Sequence, residues 1–406
     1  MRLARSDDIS IDWTSLLMKI VGLWMAADRA EQRRRNFALI YTITIIVIAT
    51  SIAFRDIYFS WGNLNDCVFV SCNILYLMFV FFKIVVLYVH RIEFFALVRY
   101  TQKNFWHSNY DPREKVILAD CKRVCAIFIV VISFCTQGTC AGYVMTPLFA
   151  NVGKNHSDRI LPFNMWVKFP VGISPYYEIS FLIQTLCVYH VAVGHICFDY
   201  FLSIVNLHVT CQFRILQYRL LSLGNVIETQ TDEESLSRYT NVCLAKLRGC
   251  IQQHQALTEY CRRLENIFTL IILAQVLFLS IVLCLISYQL FLVNVPHFRN
   301  ISLVMNMIGI LCMLFMFTYS CDGLIRQSTN VGRVTFLAPW SSMSMNKAGK
   351  TLRQNILITI MRSNQSCRLT ASGYFPISLE TYTGVLSTAM SYFTLLRHKS
   401  LNVEVH

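Results

Sequence analysis

The chain has 406 residues, of which 55% are hydrophobic and only 15% are charged. Soluble proteins of this size carry about 25% charged residues, so the composition argues against a soluble fold and favours a membrane protein. The formal net charge of +13 would suit a nucleic-acid partner, but the basic residues are distributed between apolar segments, which argues against nucleic-acid binding.

The N-terminal segment, residues 1–36, lacks a compact apolar stretch followed by a cleavage site, so we predict no signal peptide. The stretch ISIDWTSLLMKIVGLWM, which begins at Ile9, is amphipathic instead. Its apolar side chains share one face at helical spacing: Trp13, Leu16, Leu17, Ile20 and Trp24. We predict a cytosolic N-terminus with a helix in the membrane interface.

Seven segments are long and apolar enough to cross a bilayer, which takes about 20 residues. They are Phe37–Phe54, Val68–Val89, Val124–Met145, Tyr177–Val205, Ile267–Val293, Ile301–Cys321 and Pro376–Leu396. Seven such helices could not be hidden in one soluble core. The predicted fold is therefore an all-α membrane protein, with spans one to four in residues 37–205, spans five and six in 267–321 and the last in 376–397.

Two longer connections are predicted to form a cytosolic helical bundle. The loop of residues 206–266 has helical periodicity at both ends, and the acidic stretch ETQTDEESLS between them predicts a mobile loop. In the connection of residues 322–375, Ser344–Arg362 predicts a further helix with a basic and an apolar face.

The last predicted span carries an unusual number of hydroxyl groups, which helical steps of 100° sort onto one face. This polar face comprises Glu380, Gly384, Ser387, Thr388, Ser391, Thr394 and His398. Such a stripe either packs against another helix, as small and hydroxylated residues do, or lines a pore assembled from several subunits. Leu395 interrupts the stripe near its outer end, before the tail of residues 398–406, where an apolar ring would gate by dewetting.

The distribution of basic residues predicts the orientation. The N-terminus and loops two–three, four–five and six–seven hold 28 Lys and Arg, whereas the opposite set of segments holds 7. Cytoplasmic segments are enriched in Lys and Arg, so we expect the N-terminus inside and the C-terminus outside. In this orientation Asn155 and Asn300, both in Asn-x-Ser sequons, are candidates for glycosylation on the outside.

The search for catalytic chemistry gives no phosphate-binding loop, no HExxH and no GxSxG motif, so we expect no enzyme and no cofactor. Cys121 and Cys125 have no zinc-type partner pair nearby in the sequence, and we expect no metal site. Lys83 lies within a predicted span and either has a function there or extends its amine to the interface. Asp199 is expected to reach the cytoplasmic interface.

Several stretches resemble insect odorant receptors. They are KIVGLW at Lys19–Trp24, HQALTEYCRRLENIF entering the fifth span, CDGLIRQSTNVGRVTFLAPW after the sixth, and the C-terminal LTASGYFPISLETYTGVLSTAMSYFTLLR. The resemblance covers essentially the whole chain and is most specific in its last forty residues.

The resemblance implies an odorant-gated, non-selective cation channel in the plasma membrane of olfactory sensory neurons. In this family the tuning subunit binds a volatile odorant and assembles with co-receptor subunits into a heterotetramer, and the last helix lines the pore. The family's gate position falls on Leu395, and a second gate position of the co-receptor falls on Lys399. The short loop four–five is similar to that of a tuning receptor.

The resemblance also places the odorant pocket among the outer halves of spans two, three, four and six. The residues it implies are Phe69, Asn73, Tyr76, Thr136, Cys140, Tyr143, Tyr177, Phe181, Gln184, Met305, Asn306 and Ile308. They are mostly apolar or aromatic, as small-ligand pockets usually are. For any one of them, ordinary helix packing is the alternative.

Three other functions remain open. A gustatory-receptor-like channel shares Thr381-Tyr382, but Thr388-Ala389 stand where its Gln-Phe would fall. A metabotropic seven-helix receptor predicts the opposite orientation and motifs that are absent from this sequence. A transporter predicts inverted repeats or broken helices, and the sequence shows neither.

Overall fold

The computed structural model describes residues 9–105, 110–153, 159–165, 173–224, 233–293, 296–338 and 343–404. Within these ranges the chain forms ten α-helices and a 3-10 turn, Ser222–Gly224. The helices are α1 Ile9–Val21, α2 Arg29–Phe59, α3 Leu64–Val89, α4 Arg91–Asn104, α5 Pro112–Ala150, α6 Tyr176–Leu221, α7 Glu233–Leu292, α8 His297–Leu337, α9 Lys347–Ser363 and α10 Leu379–Glu404. The all-α prediction is confirmed.

The seven predicted spans fall on seven long helices: α2, α3, α5, α6, α7, α8 and α10. By length and composition, five of these among the described residues could cross a membrane, namely α2, α3, α6, α7 and α8. The prediction for the last span starts too early, because Pro376 pairs with Thr370 in an isolated β-bridge and the helix begins only at Leu379.

The N-terminal helix α1 is amphipathic, but its faces differ from the prediction. Leu17 and Trp24 are buried, with Trp24 packed edge-on against Phe201 of α6 at 6.3 Å. Trp13, Leu16 and Ile20 stay exposed. The sequence could not separate these groups because two apolar faces adjoin on one short helix; only the exposed row is available to lipid.

The helices α6, α7 and α8 continue well beyond the predicted spans and pack with α9 into a second bundle. Part of the acidic stretch predicted as a mobile loop is helical, since α7 begins at Glu233, inside that stretch, and then runs for 60 residues. Residues 225–232, which include the rest of the stretch, lie outside the described residues. Helix α9 is close to its prediction and begins after Asn346, whose side chain accepts a hydrogen bond from the amide of Gly349.

The membrane bundle is closely packed where α5 meets α8. A Cβ atom on Gly142 of α5 would lie 2.3 Å from Cβ of Ser302 on α8, so only glycine permits this approach. Ser302 uses the contact to donate a hydrogen bond to the carbonyl of Thr139 at 2.9 Å. Small residues allow membrane helices to approach in this way, and the approach fixes one wall of the cavity described next.

Candidate functional site

A cavity of about 280 Å³ lies among α2, α3, α5, α6 and α8. Seven of the twelve residues predicted for a pocket line it together: Asn73, Tyr76, Thr136, Cys140, Tyr143, Gln184 and Asn306. The rest of the wall is mainly aliphatic, from residues such as Ile48, Ile132, Val191 and Met313. The arrangement is that of a small-molecule pocket, mostly apolar with a few convergent polar groups.

Most of the polar groups in the wall already satisfy one another. The Tyr76 hydroxyl donates to Oδ1 of Asn306 at 3.0 Å, and the Tyr143 hydroxyl donates to Oδ1 of Asn73 at 3.1 Å. These two bonds tie α3 to α8 and to α5. They hold the aromatic rings in fixed positions, so the shape of the cavity is set before any ligand enters.

The chain before α6 covers the cavity. Phe163, Asn164 and Met165 line it from this side. The Gln184 side chain accepts from the amide of Phe163 at 2.9 Å and donates to its carbonyl at 3.1 Å. One side chain thus satisfies both backbone groups of Phe163, which would otherwise be left unpaired next to an apolar space.

The cavity floor contains a buried histidine. His195 of α6 is only 8% exposed, and its ring packs edge-on against Tyr76 at 5.1 Å and Phe278 of α7 at 5.6 Å. Neither ring nitrogen has a hydrogen-bond partner among the described residues. An unpartnered buried polar group costs free energy, so a hydrogen bond to either ring nitrogen would stabilise this arrangement.

An ion pair lies directly behind His195. The Lys83 amine of α3 donates to both carboxylate oxygens of Asp199 at 2.7 and 2.8 Å, and to the carbonyl of His195 at 3.4 Å. Lys83 is fully buried, Asp199 is 4% exposed, and the amine also lies 4.3 Å from the ring centre of Phe79. The expectation that these side chains extend to the interface is wrong, because each neutralises the other where it stands.

Five predicted pocket residues do not line the cavity. Phe69 stacks on Tyr143 and lies under the guanidinium of Arg299, at 3.8 Å from its ring centre to the charge. Tyr177 and Phe181 contact each other in the first turns of α6, Met305 fills the space beside Gly138, and Ile308 is 43% exposed. Phe69 supports the wall from behind, and the others point along different helix faces.

Other lining residues were not predicted. Ile48, Ala49, Ile52, Ala53 and Asp56 of α2 form one wall. Their spacing of three and four residues puts them on one helix face, and this pattern could have identified them from the sequence. The covering segment and His195 were also missed, since nothing local in the sequence shows that they meet.

The predicted pore stripe on α10 lies on the side facing away from the rest of the chain. Its seven residues, Glu380, Gly384, Ser387, Thr388, Ser391, Thr394 and His398, are all exposed, and Leu395 is 70% exposed. The opposite side buries Val385 and Ala389 and places Phe393 5.8 Å from Phe291 of α7. The stripe therefore makes no tight packing surface within this chain.

Two further sets of predicted residues can be located. Asn300 is exposed in the first turns of α8, whereas Asn155 lies outside the described residues. The sequence shows no zinc-type partner pair near Cys121 and Cys125, and the expectation of no metal site stays a prediction. The structure brings His208 of α6 next to both thiols.

Comparison with known proteins agrees with the fold. A family profile described as "7tm Odorant receptor" matches residues 63–390. Odorant receptor 13a of Drosophila melanogaster is 22% identical over 94% of this chain and 93% of its own length. Odorant receptor Or2 of Anopheles gambiae is 23% identical over 93% and 96%.

Among solved structures, the olfactory receptor OR5 of Machilis hrabei, in complex with eugenol, superposes with a TM-score of 0.77. The match covers 96% of this chain and 97% of that one, at 13% sequence identity, and it therefore supports the fold alone. Because the family profile spans most of the sequence, the conclusion rests on that match: this chain is a membrane protein of the 7tm odorant receptor family, a family of receptors rather than enzymes.

Proposed function

We propose that this protein is the odorant-binding subunit of a ligand-gated, non-selective cation channel, formed with co-receptor subunits in the plasma membrane of olfactory sensory neurons. The observation that carries the proposal is the apolar cavity among the membrane helices, with the unpartnered ring of His195 at its floor. The volatile ligand binds in this cavity, and its binding opens a pore lined by α10.

The lining indicates which odorants fit. The wall is mainly aliphatic and aromatic, and most of its hydroxyl and amide groups bond to one another or to backbone carbonyls. Among the described residues, both ring nitrogens of His195 lack a hydrogen-bond partner. The preferred ligand is a small apolar molecule with one hydroxyl, carbonyl or similar group, placed where it bonds an imidazole nitrogen.

Odorant-evoked current tests this pocket. The chain is expressed with the co-receptor, and alcohols and ketones are compared with hydrocarbons of the same length. For an active odorant, His195→Leu should raise the half-maximal concentration about 10- to 100-fold, because a buried polar group left unpaired costs about 1 to 3 kcal/mol. His190→Leu is the control: His190 lies on α6 like His195, but it bonds the hydroxyl of Thr42 on α2 and does not line the cavity.

An unchanged half-maximal concentration in His195→Leu, measured at matched surface expression, would show that the ligand binds elsewhere. If both histidine variants shift it equally, the effect comes from α6 as a whole and the pocket is assigned wrongly.

The pore assignment rests on the exposed stripe of α10. A row of hydroxyl groups facing away from its own chain can converge with copies from other subunits around a water-filled axis. Current recorded from this chain alone and with the co-receptor tests the assembly. We expect robust currents only with the co-receptor, and equal currents from the chain by itself would contradict the partnership.

The proposed orientation has the N-terminus in the cytosol, supported by the 28 to 7 division of basic residues. The second bundle, formed by the extended helices with α9, then lies in the cytosol, where it contacts neighbouring subunits. Epitope tags at the two ends, stained with and without permeabilisation, test the orientation. An N-terminal tag visible on intact cells would reverse it.

A further inference from the structure

Three potential metal ligands meet between α5 and α6, near the end of the bundle that carries most basic residues. The thiols of Cys121 and Cys125 and an imidazole nitrogen of His208 lie within 4.8 Å of one another. Four tetrahedral ligands around zinc, with Zn–S bonds of about 2.3 Å, are separated by about 3.8 Å. The three atoms thus need to approach by about 1 Å at most to share one ion.

A fourth thiol adjoins the cluster. Cys211 follows His208 by three residues, so both lie on the same side of α6, as Cys121 and Cys125 do on α5. The Cys211 thiol donates to the carbonyl of Ile117, one turn before Cys121, at 3.7 Å. The Cys211 thiol also hydrogen-bonds the Cys121 thiol.

The four side chains form a closed site. Cys125 and His208 are fully buried, Cys211 is 2% exposed and Cys121 is 7% exposed. Buried cysteines alone would pack as small apolar residues. A fully buried imidazole placed among three thiols is different, because together they make up the Cys₃His set found in structural zinc sites.

Charged side chains also lie close to the cluster. Arg214 of α6 and Asp120 of α5 are both near enough to Cys211 to interact with its thiol electrostatically. Three thiolates and a neutral imidazole around Zn²⁺ leave one net negative charge, which a nearby arginine such as Arg214 can offset.

We propose that Cys121, Cys125, His208 and Cys211 bind a structural zinc ion that clamps α5 to α6. Zn²⁺ displaces the thiol protons as it binds. With no open coordination position, the ion does not act on a substrate. The ion holds α5 and α6 together, and both helices also form walls of the cavity. It does so at the end of the cavity's helices that lies away from Phe163, Asn164 and Met165, which cover the cavity.

Metal content tests the proposal directly. The full chain is purified in detergent with a phosphine reductant and without chelator, and zinc is measured by mass spectrometry against protein concentration. We expect about one zinc per chain, retained after EDTA washing. The double variant Cys125→Ser/His208→Gln should lose it, whereas Cys250→Ser, which removes a buried thiol of α7 far from the cluster in sequence, should keep it.

Cobalt provides a second measurement, made on the native chain and on one variant. After zinc is removed with a strong permeating chelator, Co²⁺ should restore the thermal unfolding temperature of the native chain. It should also give the thiolate-to-cobalt absorption of a tetrahedral site, with lower intensity in Cys211→Ser because one thiolate is missing.

The proposal is overturned if the native chain holds no more zinc than the double variant, or if its zinc is removed by EDTA. It is equally overturned if Co²⁺ gives no thiolate absorption, or if peptide mapping of the freshly isolated chain finds a disulfide between Cys121 and Cys211.

Discussion

The buried ion pair between Lys83 and Asp199 gives the sharpest test of how the membrane bundle is held together. The amine contacts both carboxylate oxygens at 2.7 and 2.8 Å, with 0% and 4% of the two side chains exposed. Neither charge can reach water without a rearrangement of α3 or α6. Lys83→Met or Asp199→Asn therefore leaves one charge buried without its partner.

The structure sets the expected magnitude. Removing one partner of a buried pair lowers the free energy of unfolding by about 3 to 5 kcal/mol, much of it because the remaining charge stays buried without a partner. In the double variant Lys83→Met/Asp199→Asn no charge is left without a partner, so its cost should be smaller than that of either single variant. The coupling free energy between the two sites should thus be at least about 2 kcal/mol.

The assay is equilibrium unfolding of the purified chain in mixed micelles as the fraction of denaturing detergent rises. Glu259→Gln is the control, since Glu259 bonds Arg262 and Arg263 on the exposed surface of α7 and its loss should leave stability unchanged. If the single variants each cost less than about 1 kcal/mol, or if their costs simply add in the double variant, the two charges are not held together as described.

Three further outcomes are expected. Leu395→Ser should raise the ligand-free current, because a polar ring lowers the dewetting barrier at the proposed gate. Leu386→Ser, on the packed side of α10, should reduce expression instead. If only Leu386→Ser raises the ligand-free current, the pore is lined by the opposite face of α10. Arg219→Met should lower the free energy of unfolding by about 3 kcal/mol, because it leaves the carboxylate of Glu114 buried without its partner. Glu114→Gln should lower it by only about 1 kcal/mol, since Arg219 is 41% exposed and reaches water. Equal losses of unfolding free energy in the two variants would contradict this difference. Burial lowers the pKa of His254, which precedes the predicted span of α7, so its stabilising contribution is present above the unfolded value of about 6.5 and is lost as pH falls below it. His254→Gln should therefore lose less unfolding free energy than the native chain between pH 6.5 and 5, and identical profiles would refute this.

The helices were predictable because their signals are local. Apolar runs of about 20 residues identify membrane helices, and the 100° step separated the two sides of α10, where Val385 and Ala389 are buried and Ser387 and Ser391 are exposed. On α1 the same periodicity could not decide which of two adjoining apolar faces would pack against α6.

Contacts between distant segments were not predictable. Lys83 and Asp199 are 116 residues apart, and each alone looked like a side chain near an interface. Cys121 and His208 are on different helices, so the spacing of CKRVC gave no sign of a third ligand. The wall from α2 was missed for a related reason, since its small and aliphatic residues carry no chemical signature of a pocket.

The length and straightness of helix α7 bear on how the proposed channel would open. At 1.5 Å per residue, its 60 residues make a rod about 90 Å long, with no proline and only Gly249 in its interior. Phe278 touches His195 at the cavity floor, and Phe291, 13 positions later, packs against Phe393 of α10. In the proposed function, a ligand that moves His195 would act on Phe278 through this ring contact. A tilt of about 5° in a straight helix about 90 Å long would then move its far end by about 8 Å.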